Sequence, residues 1–121
     1  MQPGSEPYQA MTSVDPPKAY ADLKVSNKSL FPLKSSPFQS AYQVLDGEEP
    51  EFTNYAVRMF RDKEISFMGC IDYIFISKHW NVSAVADLPE REETKNNVPS
   101  YPSMDQPSDH TPIAATLSLG K

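Results

Sequence analysis

The chain has 121 residues, enough for one small domain but not for two. Its 11 basic and 16 acidic residues give a formal net charge of −5, which excludes proteins that bind nucleic acids through a broadly basic surface. Any nucleic-acid chemistry would therefore need a local site, with a metal ion to offset the phosphates. The single cysteine, Cys70, excludes a scaffold that is held together by internal disulfides.

The N-terminus and the hydropathy of the chain indicate where in the cell the protein is expected. Residues 1–10 lack the basic and apolar regions of a signal peptide. No segment approaches the ~18 consecutive apolar residues that span a membrane. We therefore expect a protein without membrane contacts that lies in the cytoplasm, with the nucleus and the mitochondrion as alternatives.

The N-terminal part of the chain is rich in proline. Seven of the 12 prolines lie at or before Pro50, and residues 1–22 show no periodicity of 2 or 3.6 among their small polar side chains. Such a segment buries too little apolar surface to fold by itself. We predict that residues 1–30 are disordered or extended.

The first predicted element after that segment is a short helix over residues 37–45. Ser36 is a candidate N-cap, Pro37 suits the first helical position, and apolar side chains recur every three or four residues up to Leu45. Gly47 then provides a stop. A short strand or ordered loop is predicted over residues 52–55.

The C-terminal half contains the clearest strand signal. Residues 70–76 are apolar on both alternating faces, which is typical of a strand covered on both sides in a layered structure. Residues 58–64 before it are predicted as a loop, and residues 81–87 after it as a second strand. A polar loop over residues 88–104 leads to a last strand over residues 111–119. Cys70 is predicted to be a small buried side chain rather than a nucleophile.

Two polar features stand out against this pattern. Asp72 places a carboxylate in the most apolar strand, which costs several kcal/mol unless a partner pairs with it. Asp72 is therefore either a solvated residue at the strand end or the partner of a cation or imidazole. Ser108, Asp109 and His110 precede the last strand, and a histidine beside carboxylates is equipment for general acid–base or metal-assisted hydrolysis. The alternative for these three residues is an ordinary turn.

Three segments, residues 52–55, 67–75 and 107–113, together resemble the endonuclease/exonuclease/phosphatase superfamily in its C-terminal part. The closest branch contains the carbon-catabolite-repressor-type deadenylases, nocturnin, Angel and the 2′,5′-phosphodiesterases. The resemblance covers roughly residues 38–119. It implies an α/β fold in which residues 31–121 form the C-terminal half of a two-sheet, DNase I-like α/β sandwich.

The resemblance also implies roles for individual residues. His110 would contact the scissile phosphate, and Asp72 would hydrogen-bond the imidazole and fix its tautomer. Asp109 would lie near the attacking water as a metal ligand. Phe67 matches the aromatic residue that stacks on the terminal base, with an ordinary core phenylalanine as the alternative. Asn54 matches a loop position on the substrate side.

By this resemblance the protein is a Mg²⁺-dependent phosphodiesterase, with Mn²⁺ as an alternative ion, of the 3′–5′ exoribonuclease and poly(A) deadenylase type. Its partners would be adenosine-rich RNA 3′ ends and a larger mRNA-decay assembly. The family's metal-binding glutamate and Asp-x-Asn motif belong to the first half of the fold, and no Asp-x-Asn triplet occurs in this chain. The chain thus resembles a partial catalytic domain. The alternative is a non-catalytic interaction protein or truncated paralogue that keeps the half-fold.

Two structural predictions follow from these assignments. Asp72 and His110 should be hydrogen-bonded neighbours although 38 positions separate them, since each otherwise leaves an unpaired polar group near the core. The strands predicted within residues 71–77 and 112–119 should belong to one sheet.

Overall fold

The structure is a computed structural model that describes residues 1–13 and 37–120, together with the backbone of residues 24–25 and 28–29. The described elements combine short helices with short strands, so the α/β class expected from the sequence is confirmed. In chain order they are α1 (Glu6–Thr12), β1 (Lys24–Val25), β2 (Lys28–Ser29), β3 (Gln39–Ser40), α2 (Ala41–Asp46), β4 (Asn54–Phe60), β5 (Lys63–Gly69), β6 (Phe75–Ile76), β7 (Trp80–Val85), α3 (Arg91–Asn97) and β8 (Ala115–Leu119).

The described strands form four antiparallel pairs: β1 with β2, β3 with β6, β4 with β5, and β7 with β8. The prediction that the strands within residues 71–77 and 112–119 share a sheet is therefore wrong, because β6 pairs with β3 and β8 pairs with β7. That these residues form the C-terminal half of a two-sheet sandwich stays a prediction.

Of the apolar strand predicted over residues 70–76, only Phe75–Ile76 forms a strand, β6. The backbone N–H groups of Ile71 and Asp72 donate to the hydroxyl of Thr53, at 2.9 and 3.1 Å. The carbonyl of Ile74 accepts the N–H of Ala41 at 2.9 Å. These contacts use the polar groups that a neighbouring strand would otherwise pair with, so the ladder is confined to two residues.

Helix α2 begins at Ala41, later than predicted. The preceding Gln39–Ser40 pairs with β6, which keeps the backbone extended up to Ser40, the N-cap. The predicted N-cap Ser36 lies outside the described residues. Gly47 ends the helix in the left-handed region, with φ of 80°, and its N–H donates to the carbonyl of Gln43, so the predicted stop is confirmed.

The segment predicted as a loop over residues 58–64 is the tip of a β-hairpin formed by β4 and β5. Seven residue pairs stay in register, from Asn54 opposite Gly69 to Phe60 opposite Lys63. The turn residues Arg61 and Asp62 both have positive φ, at 48° and 61°, as a type I′ hairpin turn requires. The loop prediction was wrong because both strands are exposed at this end of the hairpin and carry charged side chains. The charges made the segment resemble a polar loop.

The C-terminal part follows the predicted order, with one additional helix. Strand β7 lies at the predicted place, and β8 is shorter than the predicted last strand. Helix α3 lies where a loop was predicted. The prediction missed this helix because its polar sequence has no apolar periodicity. Its first residue, Arg91, donates its N–H to the Glu51 carboxylate at 2.7 Å and its guanidinium to the Met68 carbonyl at 3.0 Å.

Helix α1 lies within residues 1–30, which were predicted to be disordered or extended, so the prediction is wrong for this stretch. The Tyr8 ring packs against Tyr73, with 5.4 Å between centroids, and Ala10 is buried. The Phe38 N–H donates to the carbonyl of Met11 at 2.8 Å. Of the remaining range, residues 14–23, 26–27 and 30 lie outside the described residues.

The core beneath the hairpin is aromatic. Phe52, Tyr55 and Tyr101 are buried and pack edge to face or tilted, with Met68 and Val98 against them. The Tyr55 hydroxyl donates to a loop carbonyl at 2.6 Å, which ties the base of β4 to the segment after α3. None of the helices that the structure describes has the length and apolar character to cross a membrane.

Candidate active site

Asp72 and His110 meet at the centre of the site. Nδ1 of His110 lies 2.8 Å from Oδ2 of Asp72, so the predicted hydrogen bond is confirmed. An ionised carboxylate only accepts hydrogen bonds, so Nδ1 carries a proton and Nε2 of the neutral ring keeps its lone pair. The two side chains are 34% and 45% exposed. Asp72 is therefore both paired and partly solvated, which reconciles the two interpretations of its place in an apolar segment.

Thr53 connects the segments that carry the two residues. It is fully buried, and its hydroxyl accepts the N–H groups of Ile71 and Asp72. On the other side its carbonyl accepts the N–H of Thr111 at 2.8 Å, directly after His110. The resemblance placed Thr53 inside a motif, but only the fold shows this bridging contact, because it depends on backbone groups far along the chain.

Asp109 lies on the other side of the imidazole. Its Oδ1 is 4.0 Å from Nε2 of His110, and its Oδ2 is 3.6 Å from the guanidinium of Arg58. The Asp109 carbonyl accepts the N–H of Tyr55 at 2.9 Å, which holds this loop against β4. Arg58 was missed in the sequence because its segment was interpreted as a loop.

Gln106 holds the loop before His110 in shape. Its side-chain amide donates to the carbonyl of His110 at 2.7 Å and lies 3.2 Å from that of Ser108. The Ser108 hydroxyl in turn accepts the N–H of His110 at 3.1 Å. Nothing in the sequence pattern singled out Gln106, since a glutamine in a polar loop carries no periodic signal.

A groove of about 470 Å³ opens beside the imidazole, and we call it the His110 groove. It is lined by Asn54, Ala56, Arg58, Met59, Phe60, Ile65, Phe67, Ile71, Asp109 and His110. Phe67 is 36% exposed, so the alternative of an ordinary core phenylalanine is wrong. Asn54 is buried and bridges to the His110 backbone. The groove thus brings together four residues that the sequence proposed: Asn54, Phe67, Asp109 and His110.

The described residues around His110 offer few ligands for the expected metal ion. A Mg²⁺ site uses one or two carboxylates with waters and substrate phosphates. Among the residues that can be described, no group of three His, Cys, Asp or Glu side chains could hold a metal ion. At the groove Asp72 is engaged by His110, which leaves Asp109 beside Arg58. These residues do not fit a complete Mg²⁺ site by themselves, and a metal-ligating role for Asp109 stays a prediction.

Cys70 is close in sequence to Asp72 but takes no part in the site. Its side chain is buried, and burial raises the pKa of the thiol to about 11. Burial also raises the pKa of the neighbouring Tyr73, whose hydroxyl lies 3.1 Å from the Cys70 carbonyl. A protonated, buried thiol is a poor nucleophile, as the sequence predicted.

Comparison with known proteins adds a relationship over part of the chain. No family model matches the chain, and no solved structure matches it. A stretch of 70 residues, 57% of the chain, is 39% identical to 2′,5′-phosphodiesterase 12 of Bos taurus. The same length is 37% identical to the proteins of that name from Mus musculus and Homo sapiens. The match spans 10% of the length of each relative. This similarity supports, for the matched part and at the level of the family, the relationship to phosphodiesterases that the motifs indicated.

Proposed function

We propose that this chain supplies the histidine-bearing part of a phosphodiesterase of the 3′–5′ exoribonuclease and deadenylase type, dependent on Mg²⁺ or Mn²⁺. The observation that carries the proposal is the hydrogen bond between Asp72 and His110 beside a groove that Asp109 and Phe67 also line. A histidine whose tautomer is fixed by a carboxylate, open to a groove, is suited to proton transfer and to stabilising charge on a phosphoryl group.

The tautomer determines what His110 can do. With Nδ1–H donating to Asp72, the free position is Nε2. Once protonated, Nε2 can donate to a phosphoryl or leaving oxygen, and the Asp72 carboxylate stabilises the resulting cation. The Asp109 carboxylate, 4.0 Å away from Nε2, can accept a hydrogen bond from an attacking water. The metal ion would offset phosphate charge, and ligands additional to Asp109 would have to come from outside the described residues.

The substrate in this proposal is an adenosine-rich RNA 3′ end. The exposed ring of Phe67 can stack on the terminal base, an interaction of about 1–3 kcal/mol in single-strand binders. The relatives are named 2′,5′-phosphodiesterase. The substrate class therefore includes 2′,5′-linked oligoadenylate and nucleotide phosphates beside poly(A). A larger mRNA-decay assembly stays a predicted partner.

A chimera tests the proposal. Residues 38–119 of this chain replace the region of mouse 2′,5′-phosphodiesterase 12 that contains the matching stretch, and AMP release is measured from A-tailed RNA and from 2′,5′-oligoadenylate. We expect release with Mg²⁺ and none with EDTA, and a loss of at least about 100-fold on His110→Ala. His79→Ala, in the β6–β7 connection, is the matched control. A folded chimera whose turnover is indifferent to His110 contradicts the proposal.

A second candidate function is non-catalytic: an interaction protein that keeps the half-fold without the metal site. The shortage of ligands among the described residues favours it. Under either candidate we expect the 121-residue chain alone to show little or no metal-dependent hydrolysis. A folded chimera that binds substrate and does not cleave it favours the second candidate. EDTA-sensitive turnover by the chain alone would show that the chain does contain a complete set of metal ligands.

A further inference from the structure

The hairpin of β4 and β5 presents an unusual face to the His110 groove. Side chains alternate along each strand, and the register places Phe60 beside Lys63, Arg58 beside Ile65 and Ala56 beside Phe67 on one face. Phe60 and Ile65 are 58% and 53% exposed.

This face is continuous with the candidate active site. The groove that His110 and Asp109 line is also lined by Phe60, Ile65 and Phe67. From the Phe67 pair to the Phe60 pair the hairpin extends four residues, about 13 Å at ~3.3 Å per residue. The exposed apolar surface therefore extends away from the imidazole, beyond the position that a terminal base would occupy on Phe67.

The charges on this face are cationic, whereas the whole chain carries −5. Arg58 and Lys63 lie on it, Arg58 with its guanidinium 3.6 Å from the Asp109 carboxylate at the groove, and the acidic Glu64 lies opposite Met59 on the other face. The guanidinium of Arg61 lies 5.3 Å from the centroid of the Phe60 ring. Aromatic and aliphatic side chains interleaved with cations match the alternating bases and phosphates of a single strand. The core of a protein–protein interface is instead depleted of lysine.

We infer that the hairpin face is a binding site for single-stranded nucleic acid, which holds the nucleotides that precede the one at the His110 groove. Phe60 and Ile65 contact bases, and Lys63 contacts a phosphate. The inference rests on the proposed function for the end of the strand that reacts. It makes the affinity of the protein depend on substrate length.

Binding is measured without turnover, by fluorescence anisotropy of the 121-residue chain in EDTA with labelled oligoadenylates of two and eight nucleotides. We expect the longer strand to bind more tightly. Phe60→Ala should weaken its binding about tenfold and weaken binding of the dinucleotide much less. Lys63→Gln should reduce the salt slope of the octamer by about 0.7, the value for one phosphate contact on a single strand. Ser66→Ala, on the opposite face, should change neither strand's affinity.

Equal affinity for the two lengths, or an octamer affinity untouched by both Phe60→Ala and Lys63→Gln in folded protein, overturns the inference. So does self-association of the chain that Phe60→Ala abolishes while oligonucleotide binding is unchanged, because the face is then a protein interface. Length-dependent binding through Phe60 together with an inactive chimera supports this site and contradicts the proposed hydrolysis. An active chimera together with length-independent binding supports the proposed hydrolysis and contradicts the binding site on the hairpin face.

Discussion

The buried hydroxyl of Thr53 accepts the backbone N–H of Asp72 at 3.1 Å, and this contact fixes where the Asp72 carboxylate meets the imidazole. The same hydroxyl accepts the N–H of Ile71, and the Thr53 carbonyl accepts the N–H of Thr111. A single residue thus joins the two segments that carry Asp72 and His110, through its side chain on one side and its backbone carbonyl on the other. The geometry of the pair depends on a residue that touches neither reacting group.

Thr53→Val removes the hydroxyl and keeps the shape of the side chain. Two backbone N–H groups then lose their acceptor, so we expect a loss of about 1–3 kcal/mol in the free energy of unfolding, measured in urea. Because Asp72 is no longer held, the ¹⁵N resonances of the His110 imidazole should also shift towards a mixture of tautomers. Thr53→Ser keeps the acceptor and should restore the tautomer. A Val variant that keeps the wild-type tautomer contradicts the positioning role.

Asp72→Asn tests the carboxylate itself. An amide is a weaker acceptor than a carboxylate and can also turn its NH₂ group towards Nδ1, so the tautomer of His110 should no longer be fixed. In the chimera we expect activity to fall by about 100-fold or more, with substrate binding retained. Asp87→Asn, an exposed carboxylate outside the His110 groove, is the control. If Asp72→Asn leaves the activity unchanged, the hydrogen bond between Asp72 and His110 has no role in catalysis.

The sequence was sufficient to predict that Asp72 and His110 meet, because the family resemblance links them, although both side chains are more exposed than the argument from burial assumed. It was not sufficient to predict Thr53 or Gln106 as supports, since both act on backbone groups whose positions only the fold defines. A loop was predicted in place of the hairpin tip because exposed strands carry charges that hide their alternation. Phe67 left two interpretations open; its exposed position on β5 excludes the core one, and its role in stacking on a base stays a prediction.

Strand pairing was the least predictable feature. Both β6 and β8 have apolar character, and hydropathy alone gives no information on which neighbour each one takes. Strand β6 pairs with Gln39–Ser40, and β8 pairs with β7. Each pairing depends on how the whole chain folds, which the local sequence of a strand does not reveal. Helix α3 was missed for a related reason: its sequence has no apolar period, and the contacts of Arg91 with Glu51 and Met68 are visible only in the fold.

Cys70 should resist modification in the folded protein. Burial raises the pKa of its thiol to about 11, so the thiol stays protonated at pH 8. We expect iodoacetamide to label Cys70 slowly in buffer and rapidly in urea, as followed by mass spectrometry. The reference is the same chain unfolded, in which the ordinary thiol pKa applies. Rapid labelling of folded protein would mean that this part of the fold opens readily.

Glu49 gives the last prediction, a pH dependence of stability. Both carboxylate oxygens are buried, and this burial raises the pKa of the group above its ordinary value, although the Ser40 hydroxyl and the Gln43 backbone act in the opposite direction. The folded state therefore prefers the protonated form. The stability it contributes is present below the ordinary glutamate pKa and is lost as pH rises through the raised one.

Glu49→Gln keeps the size of the side chain and removes the charge. At pH 7 the variant should unfold at a higher temperature than the wild type, because it no longer buries a carboxylate. At pH 3.5 the wild-type group is protonated and the two melting temperatures should converge. Glu48→Gln, its exposed neighbour, is the matched control and should show little change at either pH. A Glu49→Gln variant that is less stable at pH 7 would show that the carboxylate has a stabilising partner.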